Sequence, residues 1–81
     1  MQQALKEPSR RVVGARQVLR AVSEGKVREV FIARDADPFV TRPVMDACET
    51  AKIRITEIDT MSQLGVSCGI EVKASVAGLF K

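Results

Sequence analysis

Apolar positions along the chain change their period several times, and each change marks an element. Ala15, Val18, Leu19 and Val22 recur at helical spacing. Arg16, Gln17 and Arg20 fall on the opposite side, because residues three and four apart are neighbours on a helix surface. Val12 and Val13 read as a strand end and Gly14 as the turn into the helix. The pattern predicts a short strand over residues 10–13 and a helix from Gly14 to about Glu24, with Gly25 as its stop. Residues 2–8 predict a helical turn that ends before Pro8, since the residue before a proline disfavours helix.

Residues 27–33 end in the continuous run Val30-Phe31-Ile32-Ala33, which predicts a strand covered on both faces. Arg34-Asp35-Ala36-Asp37-Pro38 predicts a turn. The next helix has two possible starts: Asp37 as cap with Pro38 first, or Thr41 as cap with Pro43 in the first turn. Pro43 favours the later start, because a proline deep inside a helix removes a hydrogen bond. Val44, Met45, Cys48 and Ala51 form its expected apolar face. Residues 53–58 predict a strand, with Ile53 and Ile55 alternating in register. Thr60 and Gln63 have capping-box spacing for a short helix that turns Met61, Leu64 and Cys68 inward, and Gly65 and Gly69 are expected to loosen and end it. Residues 70–73 are a short connection, and residues 74–80 a last strand of small side chains. Helices and strands alternate, so the residues predict one α/β domain over 1–81, a three-layer α/β/α sandwich with a mostly parallel sheet.

Composition adds three constraints. Three Phe with no Trp or Tyr make the core aliphatic and argue against an aromatic platform for single-stranded nucleic acid. The net charge of +3 is uneven: residues 1–28 carry seven Lys/Arg against two Glu, and residues 29–81 carry six basic against eight acidic residues. The resulting +5 and −2 place a positive field around the first helix, where a polyanion would be drawn. Cys48 and Cys68, with no histidine in the chain, cannot build a structural zinc site alone and read as buried small hydrophobes in a reducing, cytoplasmic compartment. The first residues lack the apolar run of a signal peptide, and no segment approaches a membrane span.

Catalytic patterns are absent. Without histidine there is no Ser-His or Cys-His pair, and no Gly-rich phosphate loop occurs. Asp35 and Asp37 are better explained by turn and cap than by acid–base work. The expectation is a binding module with no cofactor and no metal. On Arg16, Gln17 and Arg20 alone, a plain solvated helix face is the commoner reading.

Three stretches shift that balance: Gly14-Ala15-Arg16-Gln17-Val18-Leu19-Arg20, Ala33-Arg34-Asp35-Ala36-Asp37-Pro38 and Leu64-Gly65-Val66-Ser67-Cys68-Gly69-Ile70-Glu71-Val72. In this order and spacing they closely resemble the L7Ae/L30e superfamily of ribosomal proteins, and most of all its bacterial YbxF-type members. The resemblance implies a four-stranded mixed sheet between helices, in strand order 1-4-2-3 with the last strand antiparallel. It implies a noncatalytic protein that binds kink-turn RNA, an internal loop with tandem sheared G·A pairs and a sharp bend, in ribosomal or riboswitch RNA. Gly14, Ala15, Arg16, Gln17 and Arg20 match the helix start that enters the groove at those pairs. Ile70, Glu71, Val72 and Lys73 match the loop that packs on nucleotides thrown out of the stack. Lys73 and Arg34 are expected to add phosphate contacts; for Ile70 and Val72 plain core is the competing reading. The archaeal pattern has Asn where Arg16 stands and Glu where Gln17 stands, whereas bacterial members have a basic residue followed by Gln. The other function class is a ribosome-associated or protein-interaction module that keeps the fold without this specificity. A monomer is the simplest expectation.

Overall fold

The computed structural model describes residues 3–81. Two short 3₁₀ turns, Gln3–Lys6 and Pro8–Arg10, lead into β1 (Arg11–Val13). There follow α1 (Ala15–Ser23), β2 (Val27–Ala33), α2 (Pro38–Ala51), β3 (Arg54–Ile58), α3 (Met61–Ser67) and β4 (Val76–Phe80). The strands form one sheet in the order β1-β4-β2-β3, the order the family resemblance implies. The first turn does stop ahead of Pro8, but Pro8 opens a second turn that takes in Arg10, so β1 starts one residue later than expected. Proline suits the first position of a helical turn, where its missing N–H is not needed. Residue 2, the expected start of the first turn, lies outside the described residues.

The mostly parallel sheet read from the alternation of elements is corrected. Only β2 and β3 pair in parallel, while β4 is antiparallel to both β1 and β2. The cause lies after α3. A crossover helix ordinarily carries the chain to the far end of the sheet, but here the segment behind α3 doubles back along it. The Ile70 N–H bonds the Gly65 carbonyl at 3.1 Å, and the Ala74 N–H bonds the Met61 carbonyl, at the start of the helix, also at 3.1 Å. The chain thus enters β4 from the end at which it left β3, and the strand must run the other way.

Period-two alternation divides the sheet between two cores. Val30, Ile32 and Val76 face α1 and α2, where Val18, Ala21, Val22, Val44 and Cys48 cover them. Phe31, Ala33, Ala77 and Leu79 face α3 and the N-terminal turn, packed by Leu64, Cys68 and Leu5. Val27 shares the face of Val30 although they are three positions apart. The pairing with β4 slips between Val27 and Glu29, so Arg28 is an extra residue in β2 and the alternation reverses there. Arg11 links the N-terminal turn to the end of α3: its Nε donates to the Leu5 carbonyl at 3.0 Å and its Nη2 to the Cys68 carbonyl at 3.5 Å. One of the basic residues of the first third of the chain is therefore structural.

The second helix starts at the earlier of the two predicted points. Asp37 caps it, its Oδ1 accepting the Phe39 N–H at 2.9 Å, and Pro38 takes the first turn. Pro43 sits inside the helix after all. The carbonyl it leaves without a donor is that of Phe39, a residue 92% exposed, where water can serve. Replacing Asp37 by alanine is expected to lower stability by about 1 kcal/mol, read as a shifted urea midpoint. The buried face of α2 is Thr41, Val44 and Cys48, with Ala47 beside them; the expected Met45 and Ala51 are exposed. Met45 lies about 100° round the helix from Val44, past the rim of the stripe.

Both cysteines are free and fully buried, as expected. Burial pushes both thiols above their ordinary value of 9.0, with Arg11 partly opposing this at Cys68. A raised thiol leaves stability intact below the ordinary value, 9.0, and erodes it as pH climbs from there toward the folded-state value. Urea midpoints are expected to fall above pH 9.0, and to fall less steeply when both residues are replaced by alanine. No helix among the described residues is long and apolar enough to cross a membrane.

Candidate nucleic-acid interface

Gly14 joins the parts of the site. It continues the β1–β4 ladder, its N–H bonding the Val76 carbonyl at 2.9 Å, while its own carbonyl accepts the Val18 N–H at 2.9 Å and opens α1. Its backbone, φ 105° and ψ 140°, is one that L side chains rarely adopt. A Cβ there would also stand 2.6 Å from Gln17 Oε1, which folds back over the helix start. Gly14→Ala is expected to cost about 1–3 kcal/mol of stability, mostly from the backbone because the Gln17 amide can swing away; urea denaturation reads it.

No side chain caps α1. The first amides of the helix, at Ala15, Arg16 and Gln17, remain directed outward, with the positive end of the helix dipole behind them. Arg16, Gln17 and Arg20 are all exposed, and Ala15 is half-buried against the sheet. Among the described residues Arg16 makes no ion pair. Arg20 is 82% exposed and reaches Glu24 at 3.5 Å; Lys26 reaches the other Glu24 oxygen at 3.2 Å. The Lys26 ammonium, and after it the Arg20 guanidinium, hold the Glu24 carboxyl below its usual value. Such exposed pairs contribute little stability and open at little cost when a stronger anion arrives.

The second part is the loop over residues 70–73. Because Gly14 bonds Val76, this loop ends three residues from the α1 start. Ile70 is half-buried against the core, which is where the plain-core reading holds. Val72 is 69% exposed, and Glu71 and Lys73 are exposed beside it. The same end of the sheet carries Arg34, just past β2: the Ala33 N–H bonds the Ser75 carbonyl at 2.9 Å, and the Arg34 N–H bonds that of Ile58 at 2.8 Å. The Arg34 guanidinium is drawn toward β3, with Nε 3.0 Å from Glu57 and Nη1 3.8 Å from Asp59. Two carboxylates already offset its charge.

Two positions gain meaning that their sequence context hides. Asp35 does more than make a turn: its Oδ1 accepts the Met61 N–H at 2.8 Å. With Thr60 accepting the Gln63 N–H at 3.0 Å, it caps α3. Gly65 does not loosen α3, which runs on to Ser67. It is buried, and the loop backbone lies directly upon it. A glycine in the interior of a capped helical pattern was the available signal, since such a glycine is costly unless another backbone needs the room. Among the described residues no group of His, Cys, Asp or Glu could hold a metal ion.

The exposed α1 tip with its arginines and uncapped amides, and the loop that carries Val72, Glu71 and Lys73, thus lie at one end of the sheet. The chain matches the family described as "Ribosomal protein L7Ae/L30e/S12e/Gadd45 family" over residues 1–81. It is 50% identical over 70 residues to an RNA-binding protein of Caldanaerobacter subterraneus subsp. tengcongensis, covering 86% of this chain and 85% of that protein. It is 36% identical, with the same coverage, to the RNA-binding protein YbxF of Geobacillus stearothermophilus. Among solved structures, the Giardia lamblia 15.5kD RNA binding protein superposes with a TM-score of 0.89 at 30% identity, covering 98% of this chain and 69% of that one. The chain therefore belongs to the ribosomal protein L7Ae/L30e/S12e/Gadd45 family.

Proposed function

We propose that this chain is a noncatalytic RNA-binding protein that recognises kink-turns in ribosomal or riboswitch RNA and holds them bent, acting as a cytoplasmic monomer. The observation that carries the reading is the Gly14–Val76 hydrogen bond, which sets the exposed tip of α1 beside the loop over residues 70–73. The relatives named as RNA-binding proteins support the coarser part of it.

The chemistry of the two parts is complementary. A regular RNA helix has a major groove too narrow for side chains, so a helix tip needs a distorted site. Sheared G·A pairs at a kink supply one. Arg16 is free to fork onto guanine O6 and N7, and Gln17 can donate its amide to the same acceptors. Arg20, one turn further, reaches a phosphate once it leaves Glu24. The open amides at Ala15 and Arg16 suit a phosphate oxygen. On the other side, bases expelled from the stack expose apolar faces that Val72 and the outer part of Ile70 can cover, with Lys73 toward the backbone. Glu71 lies among these contacts and accepts from base amino groups. Arg34 has a lesser share, because it must first part from Glu57 and Asp59.

The test is an anisotropy titration of a kink-turn duplex against a control whose G·A pairs are replaced by Watson–Crick pairs. Binding is expected to be at least tenfold tighter to the kink-turn, and end-to-end energy transfer is expected to show the RNA closing as protein is added, since a ligand of the bent form draws the population to it. Equal affinity for the two duplexes would instead favour an interaction module that keeps the fold without the specificity.

A further inference from the structure

Gly65 lies in α3, away from the cationic helix tip, yet it bears directly on the second half of the proposed interface. A Cβ built on Gly65 would collide with the Val72 carbonyl oxygen, and would stand 3.2 Å from the Val72 carbonyl carbon and 3.4 Å from Lys73 Cα. All three are backbone atoms, so no side-chain rotation relieves the clash. The same helix holds the loop at both ends, through the Ile70 N–H on the Gly65 carbonyl and the Ala74 N–H on the Met61 carbonyl. The helix itself is fixed at its start by Asp35 and Thr60. The loop is thus laid against a rigid support, and its middle rests on the one position there without a side chain.

We propose that Gly65 is a positioning residue for RNA recognition: its missing side chain seats the Val72–Lys73 backbone on α3, and so sets the height at which Val72 meets the RNA. This rests on the kink-turn reading above. A merely local role makes a different prediction. Alanine forms helix better than glycine, so Gly65→Ala costs α3 nothing by itself. Its effect must come through the loop, because a Cβ lifts Val72 and Lys73 outward while β4 and the tip of α1 stay in place.

The experiment is a double-substitution cycle read by kink-turn affinity. Val72→Ala is expected to weaken binding of the native protein about tenfold, in the range of two buried methyl groups lost. Gly65→Ala is expected to do the same while retaining a cooperative urea transition. Val72→Ala added to Gly65→Ala is expected to cost less than about twofold more, because the loop is already displaced. Arg16→Ala is expected to cost equally in both backgrounds. A Val72→Ala penalty unchanged by Gly65→Ala, or native affinity in Gly65→Ala, would overturn the role of Gly65 and leave the RNA reading standing. Native affinity in both Arg16→Ala and Val72→Ala would instead remove the RNA reading and this inference with it. Should Gly65→Ala not fold, amide exchange of the native protein decides: a seated loop predicts that the Ile70 and Ala74 amides are protected without RNA, and exchange at free-loop rates refutes it.

Discussion

Replacing Arg16, Gln17 and Arg20 together by alanine is expected to weaken kink-turn binding by about 3–6 kcal/mol. Arg16 and Gln17, as base readers, are worth roughly 1–3 kcal/mol each, Arg20 adds a phosphate contact, and the sum is held below full additivity because the three share one helix tip. Arg16 should contribute most, since no carboxylate competes for it. Arg20 should contribute least, because it gives up Glu24 at 3.5 Å before it reaches the RNA. The triple variant should keep its stability within about 0.5 kcal/mol, as substitutions on an exposed face usually do. Salt titration separates the roles. Loss of an arginine that meets a phosphate lowers the slope of log affinity against log salt by about one, whereas loss of one that reads a base edge changes discrimination between duplexes. Unchanged affinity in the triple variant would exclude α1 as the reader.

Phe31→Ala is expected to cost about 3–5 kcal/mol, measured by urea denaturation. Phe31 is fully buried in β2, among Leu5, Leu64, Cys68 and Leu79. A chain of 81 residues has roughly 4–12 kcal/mol of stability in total, so this one truncation takes a large share of it. The aliphatic neighbours are held by the sheet on one side and α3 on the other, which limits how far they can close on the cavity. Binding should fall only as the folded fraction falls. A variant that folds fully yet binds poorly would mean that the core transmits strain to the interface.

How much of this was legible in the chain depends on which force set each feature. The stripe Ala15-Val18-Leu19-Val22 and the run Val30–Ala33 were legible because burial of apolar groups imposes its own period. The Asp37-Pro38 start of α2 is within reach of the sequence, but Pro43 argues against it. A proline inside a helix is cheap where the freed carbonyl faces water, and the exposure of Phe39 cannot be read from its name. The direction of β4 was not legible from alternation. It follows from two backbone hydrogen bonds that fold residues 70–74 back along α3, and backbone groups leave no mark in a hydrophobic pattern. The family resemblance supplied both the strand order and the antiparallel last strand. At the candidate site, residue types pointed to Arg16, Gln17 and Arg20, whose exposure the structure bears out. The support beneath the loop, Gly65 and Asp35, stayed hidden because its partners are backbone atoms of distant segments. Arg34 was legible as a basic residue in a turn, but not its pairing with Glu57 and Asp59, which depends on β3 lying beside β2.

The pairing of β1 with β4 joins Arg11 to Leu79 and Val13 to Ala77. β1 has no other neighbour in the sheet. During synthesis, then, the corner between β1 and α1 is made early but lacks its β4 partner until Val76 is added, 62 residues after Gly14. Gly14 can find Val76 only at that point. The joint between the α1 tip and β4 is thereby among the last contacts that the growing chain can complete.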